Sequence, residues 1–181
     1  MESLMLVKEP LQDHSWKYEK TKNGHRYKGE FGSIEIDESP FMFKIYDKNG
    51  RLITKTRHQI QNDTTLFPNL PFAFVRRAGN YSRSFNLGAD EKIYGCGESF
   101  TSLNKRGQKI VLWVDDSNGV ENQTMYKPIP FYMSSNGYGV FIHTSSPITC
   151  DFGYKFLEAI NLMIGDDELD MFFLSEIQKR F

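Results

Sequence analysis

Apolar residues in this chain alternate with polar ones in short runs, and nearly every run ends at a turn residue. Ser33-Ile34-Glu35-Ile36-Asp37 alternates, as does Phe41-Met42-Phe43-Lys44-Ile45-Tyr46, and Asp47-Lys48-Asn49-Gly50 then leads into Leu52-Ile53. A period of two places successive side chains on opposite faces of a strand. Asn-Gly between two such runs is a strong hairpin signal. The same rhythm predicts strands over 16–20, 72–76, 81–87, 109–114, 129–134, 138–144, 149–152, 157–164 and 169–174. Ser135-Asn136-Gly137 reads as a second tight turn, because Gly and Asn reach positive φ cheaply. Before Leu174 no segment sustains the period of an amphipathic helix. Only Ser175-Glu176-Ile177-Gln178-Lys179-Arg180-Phe181 reads as a helix start, with Ser175 as N-cap and Ile177 and Phe181 four apart. The pattern predicts an all-β chain, an antiparallel β-sandwich with a short C-terminal helix start.

Composition narrows the function classes. The 181 residues suffice for one domain with a substantial core and are few for two. Aromatics reach 14 %, with 15 Phe and 9 Tyr, which suits sheets. A net charge of −1 offers no basic footprint for nucleic acid or an anionic membrane. No apolar run approaches the roughly 20 residues that span a bilayer. The apolar patch near the N-terminus is shorter than a leader core of roughly 7–15 residues. A cytoplasmic chain is expected, or a periplasmic or secreted one if a leader has been removed. Cys96 and Cys150 lie in no metal-ligand spacing and are expected to be reduced and buried. No cofactor or metal is expected.

Few segments could carry chemistry. Tyr94-Gly95-Cys96-Gly97-Glu98-Ser99 contains Gly-x-Gly but lacks the third glycine and the βαβ context of a dinucleotide site. The glycines are expected to turn the backbone sharply as a strand through Lys92 and Tyr94 ends. Glu98 is a lone carboxylate, weak ground for acid–base work, and is expected to bond the turn through Arg106. His14, His25, His58 and His143 share no ligand spacing, and no Gly-x-Ser-x-Gly elbow occurs. Asp115-Asp116 differs. The pair ends the apolar run Ile110-Val111-Leu112-Trp113 and opens a polar loop over 117–124. Binding groups tend to sit on loops carried by a rigid strand end. Calcium chelation, hydrogen bonds from sugar hydroxyls and plain strand termination all remain open for this pair.

Residues 91–107, EKIYGCGESFTSLNKRG, resemble the "Y-G-x-G-E-x-F-x-x-L-x-(K/R)-x-G" signature of the N-terminal domain of glycoside hydrolase family 31. Residues 126–142, YKPIPFYMSSNGYGVFI, are similar to that family's "Y-K-x-I-P-F-Y" hairpin, and Leu169-Asp170-Met171-Phe172-Phe173 to the "L-D-Y-F" before its barrel. The matches keep the family's order and cover most of 72–173. The first seventy residues match only in general strand character. The Tyr-Lys-x-Ile-Pro-Phe-Tyr wording is closer to the bacterial α-xylosidase branch than to the intestinal α-glucosidases.

The resemblance implies a galactose-mutarotase-like sandwich packed on a (β/α)8 barrel that hydrolyses α-glycosidic bonds with retention. Retention needs two carboxyl groups roughly 5–5.5 Å apart, and in this family both are barrel aspartates. Such a barrel takes about 250 residues, and no Trp-x-Asp-Met-Asn-Glu nucleophile segment occurs here. Residues 1–174 are therefore expected to be the N-terminal sandwich, inactive alone, and 175–181 the start of a linker toward a barrel. By the family's pattern a sandwich loop lends an aspartate to the substrate; Asp115 is the candidate and Asp116 its alternate. Lys105-Arg106-Gly107 is expected to fix the loop that follows. The implied partner is an α-linked xyloside or glucoside, shared with the barrel of the same chain. Val114 stands where a small polar residue is common, and the end lacks the usual Gly-x-x-Pro spacer. The other reading is a stand-alone carbohydrate-binding sandwich or a mutarotase-like epimerase, which would need an acid and a base across a groove. Exposed aromatics around Phe172, Phe173, Ile177 and Phe181 leave a homo-oligomer open.

Overall fold

The computed structural model describes residues 5–6, 14–57, 72–75, 80–115, 127–166 and 168–175. Among the described residues there are fourteen strands and no helix. The first five are β1 (Lys17–Lys20), β2 (Gly24–Lys28), β3 (Gly32–Glu38), β4 (Phe41–Asp47) and β5 (Leu52–Lys55). They form one antiparallel sheet in chain order. The others are β6 (Phe72–Val75), β7 (Asn80–Asn86), β8 (Ile93–Glu98), β9 (Lys109–Leu112), β10 (Lys127–Ser134), β11 (Tyr138–Ile142), β12 (Ile148–Phe152), β13 (Ala159–Ile164) and β14 (Met171–Ser175). They build a second sheet, β14-β11-β10-β8, and a third, β6-β7-β13-β12-β9.

The second and third sheets enclose the core. Ile93, Tyr132, Val140 and Ile142 of one meet Ile110, Leu112, Phe152, Ile160 and Leu162 of the other, all buried. Tyr132 and Phe152 meet edge to face with centroids 5.2 Å apart, a favoured aromatic geometry. Cys96 and Cys150 are free thiols in this core.

The meander β1–β5 follows from its alternation. Register aligns Glu19, Arg26, Glu35 and Lys44 in one row across four strands. Opposite charges facing one another across strands are stabilising. Lys44 Nζ lies 2.7 Å from Asp37, and the Tyr46 hydroxyl donates to Glu35 at 3.0 Å. Ile45, on the opposite parity, packs against the core. A bridge between Thr56 and Phe85 links this sheet to the third.

Both hairpin turns form as expected. Asp47 Oδ1 accepts from the backbone N–H groups of Asn49 and Arg51, each at 2.9 Å. Gly137 N–H donates to Ser134 O at 3.0 Å in the β10–β11 turn. Two expectations change. Strand β2 carries no apolar alternation and is held by its ladder on both sides. Ser175 is the last residue of β14, paired with Tyr138, rather than a helix N-cap; tertiary pairing overrides the cap preference. The rest of the expected helix, with Ile177 and Phe181, lies outside the described residues. Phe172 and Phe173 are partly used internally, against Phe141 and Phe85 at 5.9 and 5.7 Å.

Candidate functional site

Strand β9 pairs with β12 and alternates, with Ile110 and Leu112 buried and Lys109 and Val111 outward. The ladder ends at Leu112, and Trp113, Val114 and Asp115 are exposed. A cleft of about 260 Å³ lies beside this strand end, walled by Leu112, Trp113, Val114, Pro128, Pro130 and Ile148. Asp115 shares the outward parity of Val111 and Trp113. Asp116 lies outside the described residues. Asp115 is thus exposed, next in sequence to Val114 of the cleft and three residues past the end of β9. Such a group can accept hydrogen bonds from a polyol docked against Trp113.

The glycine-rich stretch is not a turn. Strand β8 runs through Gly95 and Gly97, which have φ of 110° and 87°. A Cβ at Gly97 would stand 2.0 Å from Lys127 O, and one at Gly95 2.6 Å from Phe131 O. The glycines therefore let β8 press against β10, where the register shifts between Pro128 and Tyr132. Glu98 does not bond Arg106. It faces Lys127 at 3.5 Å on the exposed surface, a pair worth little in water.

Arg106 instead stitches loops together. Its guanidinium donates to the carbonyls of Gly88 at 2.7 Å, Glu91 at 3.1 Å and Leu157 at 3.2 Å. Asn104 Oδ1 accepts from the N–H of Ile93 at 3.1 Å and of Arg106 at 3.2 Å. Glu91, only 5 % exposed, forms a hub. It accepts from Gly88 N–H at 2.8 Å, from the Tyr138 hydroxyl at 2.9 Å and from the Ser134 hydroxyl. Burial, and then the Glu91 charge, push the Tyr138 phenol well above its usual range, so it stays a neutral donor. Sequence reasoning placed Glu91 in a signature but gave it no role. Its partners on β10 and β11 lie more than forty positions away.

Two of the histidines are paired within the scaffold. His25 lies 2.7 Å from Glu38, and His143 lies 2.8 Å from Asp170. His14 is exposed, and His58 lies outside the described residues. Among the described residues no three His, Cys, Asp or Glu side chains converge to hold a metal ion.

Known proteins give this geometry a context. The model of the glycosyl hydrolase 31 N-terminal galactose mutarotase-like domain matches residues 2–151, so the likeness includes the meander that the motifs left out. An alpha-xylosidase of Emericella nidulans is 34 % identical over 113 residues, 60 % of this chain and 14 % of that protein. Alpha-xylosidase XylQ of Lactiplantibacillus pentosus is 33 % identical over 133 residues, 70 % of this chain and 16 % of that protein. The chain thus spans a small part of the curated relatives it matches. A solved dextranase of Flavobacterium johnsoniae superposes with a TM-score of 0.78 over 90 % of this chain and 19 % of its own, at 23 % identity. An alpha-xylosidase from a soil metagenome gives 0.75 over 98 % and 27 %, at 17 % identity. At these identities the two structures speak for the fold, and the family match speaks for descent. The chain belongs to the glycosyl hydrolase 31 N-terminal galactose mutarotase-like domain family.

Proposed function

We propose that this chain is the non-catalytic N-terminal domain of a retaining α-glycosidase, which packs on a catalytic barrel and lends it the loop after β9. The observation that carries this reading is the exposed Asp115, three residues past the end of the half-buried strand β9, in a domain of this family. The substrate proposed is an α-linked xyloside, with a glucoside as the alternative, because the two relatives described above, at 34 % and 33 % identity, are alpha-xylosidases. The sandwich closes with β14, and the linker toward the barrel is proposed to follow it.

One pair that the stand-alone carbohydrate-binding reading could use is exposed Tyr18 and Tyr27. Their rings are inclined at 45° to each other, and Tyr18 already stacks on His25. They make no flat platform for a sugar face. An epimerase would need a free acid and base facing each other across a groove, and His25 and His143 are tied to Glu38 and Asp170.

Asp115→Ala in the full-length enzyme tests the proposal. A charged acceptor bonded to sugar hydroxyls in a partly desolvated pocket contributes about 1.5–3 kcal/mol, so kcat/KM should fall about 10- to 150-fold. A bond made equally to substrate and transition state shows in KM; one that tightens in the transition state shows in kcat. Asp116→Ala should do less, and a larger loss at Asp116 than at Asp115 would transfer the role to it. Kinetics unchanged by Asp115→Ala on both a xyloside and a glucoside would end the proposal for this residue.

A further inference from the structure

The fold buries one lysine against hydroxyls alone. Lys105 is 3 % exposed. Its ammonium donates to Ser99 Oγ at 2.8 Å and Thr101 Oγ1 at 2.9 Å. The backbone holds it in place: Lys105 N–H donates to Ile93 O at 2.7 Å, and Gln108 N–H donates to Lys105 O at 3.0 Å. No carboxylate among the described residues pairs with this ammonium; Glu98, on the same wall, faces Lys127. The group lines a cleft of about 400 Å³, with Gly95 and Gly97 on its floor and Phe100 and Leu103 at its mouth. Those two side chains are 60 % and 77 % exposed. Burial also draws the Lys105 ammonium down from its usual range.

Removing an ammonium from water costs several kcal/mol, and neutral hydroxyls return only part of it. An ammonium has three N–H donors, and two are used here. Ser99 and Thr101 each have a hydroxyl proton, only one of which is needed for the 3.1 Å contact between them. One ammonium N–H and one hydroxyl O–H of this cluster are therefore left for a further acceptor, a pair that suits the two oxygens of a carboxylate. A single positive charge with Glu98 nearby disfavours a multiply charged anion. The apolar mouth favours a side chain carried on a protein surface over a hydrated free acid.

We propose that the Lys105 cleft receives an Asp or Glu carboxylate from the catalytic part of the same enzyme, seated between Phe100 and Leu103. This rests on reading the chain as one domain of a longer enzyme, in keeping with relatives of which it covers only 14–16 %. The anchor would fix the angle at which the sandwich meets the barrel.

Zero-length carbodiimide coupling of the full-length enzyme, followed by peptide mass spectrometry, should join Lys105 to an acidic peptide outside residues 1–181. Lys105→Met should speed proteolytic separation of sandwich and barrel about 10- to 100-fold, the range of one charge-assisted hydrogen bond. Lys105→Arg should restore most of the resistance. A coupled peptide within residues 1–181 would overturn the proposal, as would unchanged separation in Lys105→Met. Acetate supplies the third arm. If it raises the melting temperature of the wild-type enzyme but not of Lys105→Met, and no coupling forms, the site takes free carboxylates and the docking proposal falls. A parent protein without a barrel would defeat the reading of the domain itself, an outcome seen from its mass before any of these measurements.

Discussion

Purified by itself, the 181-residue chain is expected to release no 4-nitrophenol from 4-nitrophenyl α-xyloside or α-glucoside. Retaining hydrolysis needs two carboxyl groups about 5–5.5 Å apart, one attacking and one passing a proton. The buried and half-buried carboxylates Glu91, Glu35 and Asp37 are committed elsewhere. Glu91 is buried and spent on three donors. Glu35 and Asp37 share Lys44, at 3.8 and 2.7 Å, and Glu35 is also bonded by Arg26 and Tyr46. Both are held within the meander by these cations. Asp115 stands alone on its strand end. Enzymes accelerate such reactions at least about 10⁶-fold, roughly 8 kcal/mol, and a single loop carboxylate supplies neither half of the pair. The check is release of 4-nitrophenol by the pure chain against a mock-purified control. Signal above that control would contradict the non-catalytic assignment.

Glu91→Ala should be the most damaging single substitution in the signature. It removes the shared acceptor of the Gly88 N–H and the Ser134 and Tyr138 hydroxyls in a buried site. Each buried donor left unsatisfied costs about 1–3 kcal/mol, so a loss of about 3–5 kcal/mol is expected. Native stability is only about 5–15 kcal/mol. At this chain length the melting temperature should drop by roughly 6–20 °C. Glu91→Gln keeps an acceptor oxygen and should lose less than half as much. The alkaline limb adds a check. Tyr138 has a raised folded value, so its contribution is complete below about pH 10 and declines as pH rises further, because the unfolded chain ionises first. A melting temperature for Glu91→Ala within a degree of wild type would show that the hub is dispensable.

The parts of the fold legible in the sequence are those set by neighbours along the chain. Asn49-Gly50 and Ser135-Asn136-Gly137 specify their turns through the φ values that they tolerate. Strand β2 was hidden because Gly-His-Arg-Tyr-Lys gains its order from β1 and β3 rather than from its own pattern. Strand β8 is legible only as far as Tyr94, for the opposite reason. Its glycines read as a turn until the carbonyls of β10 show why a side chain is excluded there. Asp115 could be placed because an apolar run that stops at carboxylates marks a strand end. The sequence pairs Arg106 with Glu98 wrongly and gives Lys105 no partner, since Arg106 reaches a carbonyl 51 positions away and Lys105 depends on a loop closing over its ammonium.

The order of strands also sets the order of birth. The meander joins only sequence neighbours, β1 through β5, so each pair closes across a short turn with little loop entropy. Strand β7, by contrast, takes β13 as a neighbour, with Tyr81 opposite Ile164. On a ribosome adding about 5–20 residues per second, those 83 positions take roughly 4–17 s to appear. For that interval the ladder groups that β7 will give to β13 stay unpaired while the meander beside them is already folded. An open strand edge is where a second nascent copy can add itself. Slower crowding of ribosomes on the message, or a chaperone that covers this edge, should therefore raise soluble yield without changing the finished molecule.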